Sequence, residues 1–182
     1  KVGINMKTFL RTGATALILV LAACAGTSSL DMGALNGAEI NNFRAPEAEV
    51  LSTGQPTADQ LQVMASAGVK HIINLRGLGE DAGFNEQAMV ESLGMTYHNI
   101  PVSVGDGGLN ADNAQSLQSL LADFAGDGVV VHCATGNRVG ALISISEYAD
   151  NNNIDSAIAE GARWGMTSER LQSVVRESLS GN

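Results

Sequence analysis

Cysteine is almost absent from the 182 residues, occurring only as Cys24 and Cys133, which excludes a disulfide framework. Positive charge is also scarce: ten Lys and Arg stand against nineteen Asp and Glu, a formal net charge of −9. A field of that sign repels nucleic acid and anionic lipid, so neither is expected as a non-specific partner, and an anionic substrate must be held by a local site. His71 and His98 share no metal-like spacing with each other or with a cysteine, and neither a metal nor another cofactor is expected. No internal repeat is present, and the one strongly apolar run is too short to cross a bilayer comfortably. What remains is 45% hydrophobic and 16% charged, an ordinary globular mixture with enough chain for one domain.

The apolar run lies at the beginning. Met6-Lys7 and Arg11 form a short basic start before Ala14 to Ala23, the pattern of a secretory signal. Lys1 to Asn5 precede the start-like methionine and are read as an upstream translation artefact. The run closes with Leu21-Ala22-Ala23-Cys24, which resembles the lipobox of bacterial lipoproteins. That resemblance implies cleavage before Cys24, lipidation of its thiol and attachment to a membrane on the periplasmic side. With Ala25 rather than Asp next, it implies the outer membrane in a Gram-negative cell. An uncleaved anchor and a plain signal peptide stay open as alternatives. On this reading residues 1–23 are the signal peptide, 24–46, rich in Ala, Gly, Ser and Asn, are a flexible tether, and 47–182 are the folded domain. Cys133 is then a lone thiol in an oxidising compartment, which needs an explanation.

Within the domain, β-rich runs alternate with helical patterns, so the expected fold is α/β with a mainly parallel sheet flanked by helices. Strands are expected at Glu49 to Ser52, Val69 to Leu75, Met95 to Ile100 and around Val129-Val130-Val131. A capping box of Thr57 and Gln60 opens a helix to Ala67 with Gly68 as its stop. Further helices are expected over Asn85 to Leu93, after the cap Asn110, from Arg138 or Val139 to Tyr148, over Ile154 to Gly161 and over Ser168 to Leu179. Ala114, Leu117, Leu120, Leu121 and Phe124 share one helical face and are read as core. Trp164 and Tyr148 are read as packing residues whose polar tips find a partner.

The chemistry gathers in His132-Cys133-Ala134-Thr135-Gly136-Asn137-Arg138. Cys133 falls at the carboxyl end of a strand, Gly136 in a turn, and a helix begins on the far side, the edge where ligands of open α/β sheets collect. Convergent backbone N–H groups of Ala134 to Arg138 and a helix amino terminus hold an anion there, and the same field favours a thiolate. Free cysteine titrates near ~8.5, and such surroundings lower this to roughly 3.5–7.5, so Cys133 is expected to be a nucleophile at neutral pH. Arg138 offers a planar fork for two phosphoryl oxygens. His132 is expected to orient the loop. A buried inert cysteine beside a structural arginine is the alternative.

This loop resembles the His-Cys-x-x-Gly-x-x-Arg-Ser/Thr loop of protein tyrosine and dual-specificity phosphatases. It departs from that pattern by having four residues rather than five between Cys133 and Arg138, and Val139 where a hydroxyl is usual. A loop of this length also resembles that of rhodanese sulfurtransferases, which carry sulfur as a cysteine persulfide. Ser52-Thr53-Gly54-Gln55-Pro56, Gly68-Val69-Lys70, Ile72-Ile73-Asn74-Leu75-Arg76 and Gly165-Met166-Thr167 resemble atypical dual-specificity phosphatases, and most of all the phosphatase-like domain of the beta-lactamase-hydrolase-like family.

The resemblance implies a hydrolase that acts through Cys133 and Arg138 on a phosphorylated protein or a small phosphate ester. It implies an acid from an upstream loop, and Asp106, after Ile100-Pro101-Val102 and between glycines, is the candidate; a plain turn residue is its other reading. Asp112 competes, although a helix's first turn favours a carboxylate by itself. Thr135 is a candidate replacement for the missing hydroxyl. Arg76 is read as a surface partner of Glu80 or Asp81 rather than a phosphate ligand. Three functions stay open: phosphomonoesterase, sulfurtransferase and non-catalytic anion-binding module. Oligomeric state is not legible.

Overall fold

Val129, Val130 and Val131 lie at the centre of a five-stranded sheet and are wholly buried. A computed structural model describes residues 30–181; the signal sequence and Cys24 lie outside the described residues. The elements are α1 (Met32–Gly37), β1 (Arg44–Glu47), β2 (Val50–Thr53), α2 (Ala58–Ser66), β3 (Val69–Asn74), α3 (Glu86–Ser92), β4 (Thr96–Asn99), α4 (Ala111–Asp123), β5 (Gly128–His132), α5 (Asn137–Asn151), α6 (Ile154–Arg163) and α7 (Glu169–Ser180). The sheet order is β1-β2-β5-β3-β4. Only β1 runs antiparallel; β2 and β3 both pair parallel with β5, and β3 pairs parallel with β4. This is the α/β architecture expected from the alternation of strand and helix.

Side chains alternate across a strand, and β5 shows what that does to the site. Val129 and Val131 join Val50, Ile73 and Leu75 in one cluster with Leu117 of α4, Leu142 of α5, Ile158 of α6 and Val175 of α7. Val130 joins Leu51 and Ile72 in the opposite cluster, with Leu35 of α1, Leu61 of α2 and Val90 of α3. Each fully buried valine contributes roughly 1.5–3 kcal/mol of burial free energy, so the register of β5 is strongly held. Cys133 follows the odd positions onto the α5 side.

The expected tether is corrected by the structure. From Leu30 onward the chain is part of the domain: Leu30, Leu35 and Ile40 are buried in the second cluster, and Arg44 and Glu47 pair with Ser52 and Val50. The helix has only six residues, too few to show a period, and the strand is a short edge containing Pro46, where a missing N–H costs no ladder bond. The Thr57–Gln60 capping box is present as expected. Among the described residues no helix is long and apolar enough to cross a membrane.

Candidate active site

The loop between β5 and α5 carries the site. Cys133 is 1% exposed and free. Gly136 caps α5 at φ +81° and offers no side-chain hydrogen bond to the helix, whereas Thr57, Asn85, Asn110, Asn153 and Ser168 cap theirs. The first-turn N–H groups of α5 are thus left without a side-chain acceptor next to the thiol. A Cβ on Gly136 would come within 2.5 Å of Asn42 Nδ2, so both the positive φ and the crowding require glycine.

Asn42, placed in the expected tether by sequence reasoning, braces this loop. Its Nδ2 donates to the carbonyls of Thr135 and Gly165, each at 2.8 Å, and its own φ is +49°, a conformation asparagine tolerates. The Gln55 N–H donates to the Ala134 carbonyl at 3.2 Å. Asn137 Nδ2 donates to Thr135 Oγ1 at 3.1 Å, and Asn137 Oδ1 accepts from the Ser168 N–H at 2.8 Å. Three separate segments therefore engage the carbonyls of Ala134 and Thr135 and the side chain of Asn137.

Arg138 is held by a residue that sequence reasoning missed. Its Nη1 donates to Glu80 Oε1 at 2.5 Å and to the Val102 carbonyl at 2.8 Å, and its Nη2 donates to Glu80 Oε2 at 2.7 Å. A guanidinium has five N–H groups in a rigid fork. Nε–H and the second Nη2–H share the remaining edge and meet no protein oxygen among the described residues; with the Cys133 thiol close by, that edge is the one left for a phosphoryl group. The arrangement keeps both partners charged. The Arg138 hydrogen bond, opposed by partial burial, lowers Glu80 to about 2. Arg138 is raised first by Glu80, against burial, and then by the nearby Cys133.

Glu80 also lies 3.5 Å from Arg76 Nε. Arg76 pairs with Glu80 as expected and donates to the Asp81 carbonyl, but it is 6% exposed rather than on the surface. Nothing in the local pattern distinguished Glu80 from a surface residue four positions after an arginine, because its second partner is 58 residues away.

Behind the loop, His132 follows the even face of β5 and meets α3. Its Nε2 lies 3.1 Å from Glu86 Oε1 but off the line of a hydrogen bond, and Nδ1 has no partner. Glu86 also accepts from Gln55 and Asn74. Burial works against its charge, yet His132, Gln55 and Arg76 outweigh it and lower its pKa. His132 is fully buried on the face of β5 opposite Cys133 and makes no hydrogen bond to the loop, so the expected orienting bonds are not among its contacts.

Asp106 lies in solvent; its carboxylate accepts from Ser103 Oγ at 3.1 Å and makes no hydrogen bond to Cys133 or Arg138. Its loop is anchored to the site through Val102, whose carbonyl meets Arg138. Asp112 occupies the first turn of α4. Val139 is completely buried, so the position of the usual hydroxyl belongs to the core, while Thr135 and Ser168 line a cleft beside Arg138.

Known proteins share this fold. A beta-lactamase hydrolase-like protein from Xylella fastidiosa is 36% identical over 102 residues, covering 54% of this chain and 23% of the relative; the chain thus spans about a quarter of the length of the curated relatives it matches. A DUF442 protein from Shewanella putrefaciens CN-32 shares the fold with a TM-score of 0.59 at 21% identity, over 82% of this chain and 96% of its own. The catalytic core of the PP-IP phosphatase SIW14 from S. cerevisiae does so with a TM-score of 0.57 at 15% identity, over 75% and 84%. The profile of DSP-PTPase phosphatase fused to NAD+ kinase matches residues 32–177, and the chain belongs to that phosphatase family.

Proposed function

We propose that this chain hydrolyses phosphate monoesters, on a phosphorylated protein or a small molecule, through a phosphocysteine at Cys133. The observation that carries the reading is the open Nε–Nη2 edge of Arg138, held by Glu80 beside a buried free thiol at the uncapped start of α5. In the first step the thiolate attacks phosphorus, the P–O bond to the alcohol breaks, and the departing oxygen takes a proton from Asp106, whose glycine-flanked loop folds over the mouth. In the second, a water oxygen attacks phosphorus, the P–S bond breaks with return of the thiolate, and the water proton passes to the Asp106 carboxylate. With Val139 buried in the core, Thr135 is the hydroxyl available to ease departure of sulfur, and the second step is expected to be slow.

The test is pre-steady-state hydrolysis of an aryl phosphate by residues 30–182. The expected result is a burst of one alcohol per enzyme with an acid-stable phosphoenzyme, no activity in Cys133→Ser, and a first step slowed by ~10²–10⁴ in Asp106→Asn. Thiosulfate-to-cyanide transfer without phosphate release, unaffected by Asp106→Asn, would assign the thiol to sulfur transfer instead. Phosphate binding without either reaction would leave an anion-binding module. The lipid anchor at Cys24 is likewise our proposal, motivated by Leu21-Ala22-Ala23-Cys24, and a mature amino terminus without diacylglyceryl-cysteine by mass spectrometry would end it.

A further inference from the structure

Beside the open edge of Arg138 lies a cleft of about 420 Å³ lined by Val104, Thr135, Asn137, Arg138, Ser168, Arg170, Leu171 and Val174. Two of its walls are apolar side chains that a soluble surface ordinarily hides: Val104 is 44% and Val174 38% exposed. With Leu78 they are the exposed large hydrophobic residues among the described ones, and both lie at this mouth. Leu171, on the same helix, continues the apolar wall downward.

At its rim stands Arg170. The chain has few cations, and those of the described part are mostly occupied: Lys70 with Asp127, Arg76 and Arg138 with Glu80, Arg163 with Glu160, and Arg176 with Asp155. Arg170 is exposed and makes no ion pair or side-chain hydrogen bond among the described residues. In a chain of net charge −9, a free guanidinium in the same cleft as the phosphate-holding arginine is a local exception to the field. The Ser168 N–H, bonded to Asn137, ties the start of α7 to the loop and so fixes the backbone that carries Arg170 beside Arg138.

We propose that this cleft is the leaving-group subsite and that it selects small phosphomonoesters whose alcohol part has an apolar body and a second negative charge. The apolar body lies against Val104, Leu171 and Val174, and the second charge meets Arg170. The proposal rests on the phosphatase reading for the position of the first phosphate, and its test separates the two.

The probes are 4-(carboxymethyl)phenyl phosphate and its neutral amide, of nearly equal shape. Wild type is expected to prefer the acid by about fivefold to tenfold in kcat/KM, Arg170→Gln to erase that preference, and Val174→Ser to weaken both probes alike. Arg176→Gln, which removes a paired exposed cation on the same helix, is the control and should leave the preference intact. The same probes are titrated into Cys133→Ser by calorimetry. Hydrolysis of both probes with a preference unmoved by Arg170→Gln, or moved equally by Arg176→Gln, overturns the subsite and leaves the phosphatase reading standing. Discriminating binding that depends on Arg170, without turnover in the wild type, supports the subsite and overturns the phosphatase chemistry. Equal binding of the two probes to Cys133→Ser overturns the subsite whatever the turnover.

Discussion

Replacing Glu80 by Gln tests whether Arg138 is positioned or obstructed. Glutamine keeps one acceptor oxygen and turns the other into an NH₂ group facing a guanidinium N–H, so one of the two bonds at 2.5 and 2.7 Å is lost and the charge of the pair with it. A charge-assisted hydrogen bond contributes roughly 1.5–3 kcal/mol. The Glu80 side chain is 36% exposed, so solvent screening favours the low end, about 1–2 kcal/mol. If that energy orients the open edge toward phosphoryl oxygens, kcat/KM for an aryl phosphate falls by about 5- to 30-fold, at ~1.4 kcal/mol per decade. Because the Arg138 side chain is only 13% exposed, a modest loss of thermal stability should accompany the fall in kcat/KM. Its pH dependence has a definite sign. Glu80 is depressed from 4.5 to about 2 in the folded protein, so its contribution is complete above about pH 4.5 and is lost as pH falls toward 2. The activity ratio of variant to wild type should therefore stay constant between pH 5 and pH 8. A variant as active as wild type would refute positioning. A faster variant would show that the carboxylate competes with phosphate for Arg138.

Other consequences follow from the packing around the loop. Asn42→Ala removes two hydrogen bonds to loop and turn carbonyls and puts alanine at a positive φ, so about 2 kcal/mol of stability and about tenfold in kcat/KM should be lost; Asn42→Asp, which cannot donate, should do no better, and near-normal melting and rates in both would remove its bracing role. Gly140→Ala would set a Cβ 2.1 Å from the Gly161 carbonyl and 2.8 Å from Met166, backbone that cannot yield, and should cost about 3 kcal/mol or more in denaturant unfolding. A loss below about 1 kcal/mol there would mean that α5 and α6 separate easily.

The order of elements, the capping box at Thr57 and the nucleophile loop could be read from the sequence because each is local: hydrophobic period, turn residues and a helix start lie within a few positions of one another. What lay beyond reach were partners distant along the chain. Leu30 to Pro46 looked like a tether because a six-residue helix and a proline-containing edge strand carry no period, and only their burial against α2 and β2 makes them part of the domain. Asn42 became a brace through contacts 93 and 123 residues away. Cys133, Gly136 and Arg138 by themselves marked a thiol in the turn between a strand end and a helix start, since strand, glycine and helix follow one another directly in the chain. That Arg138 keeps one free edge, and that a cleft with Arg170 adjoins it, was decided by tertiary structure alone, because both depend on which loops meet at the carboxyl end of the sheet.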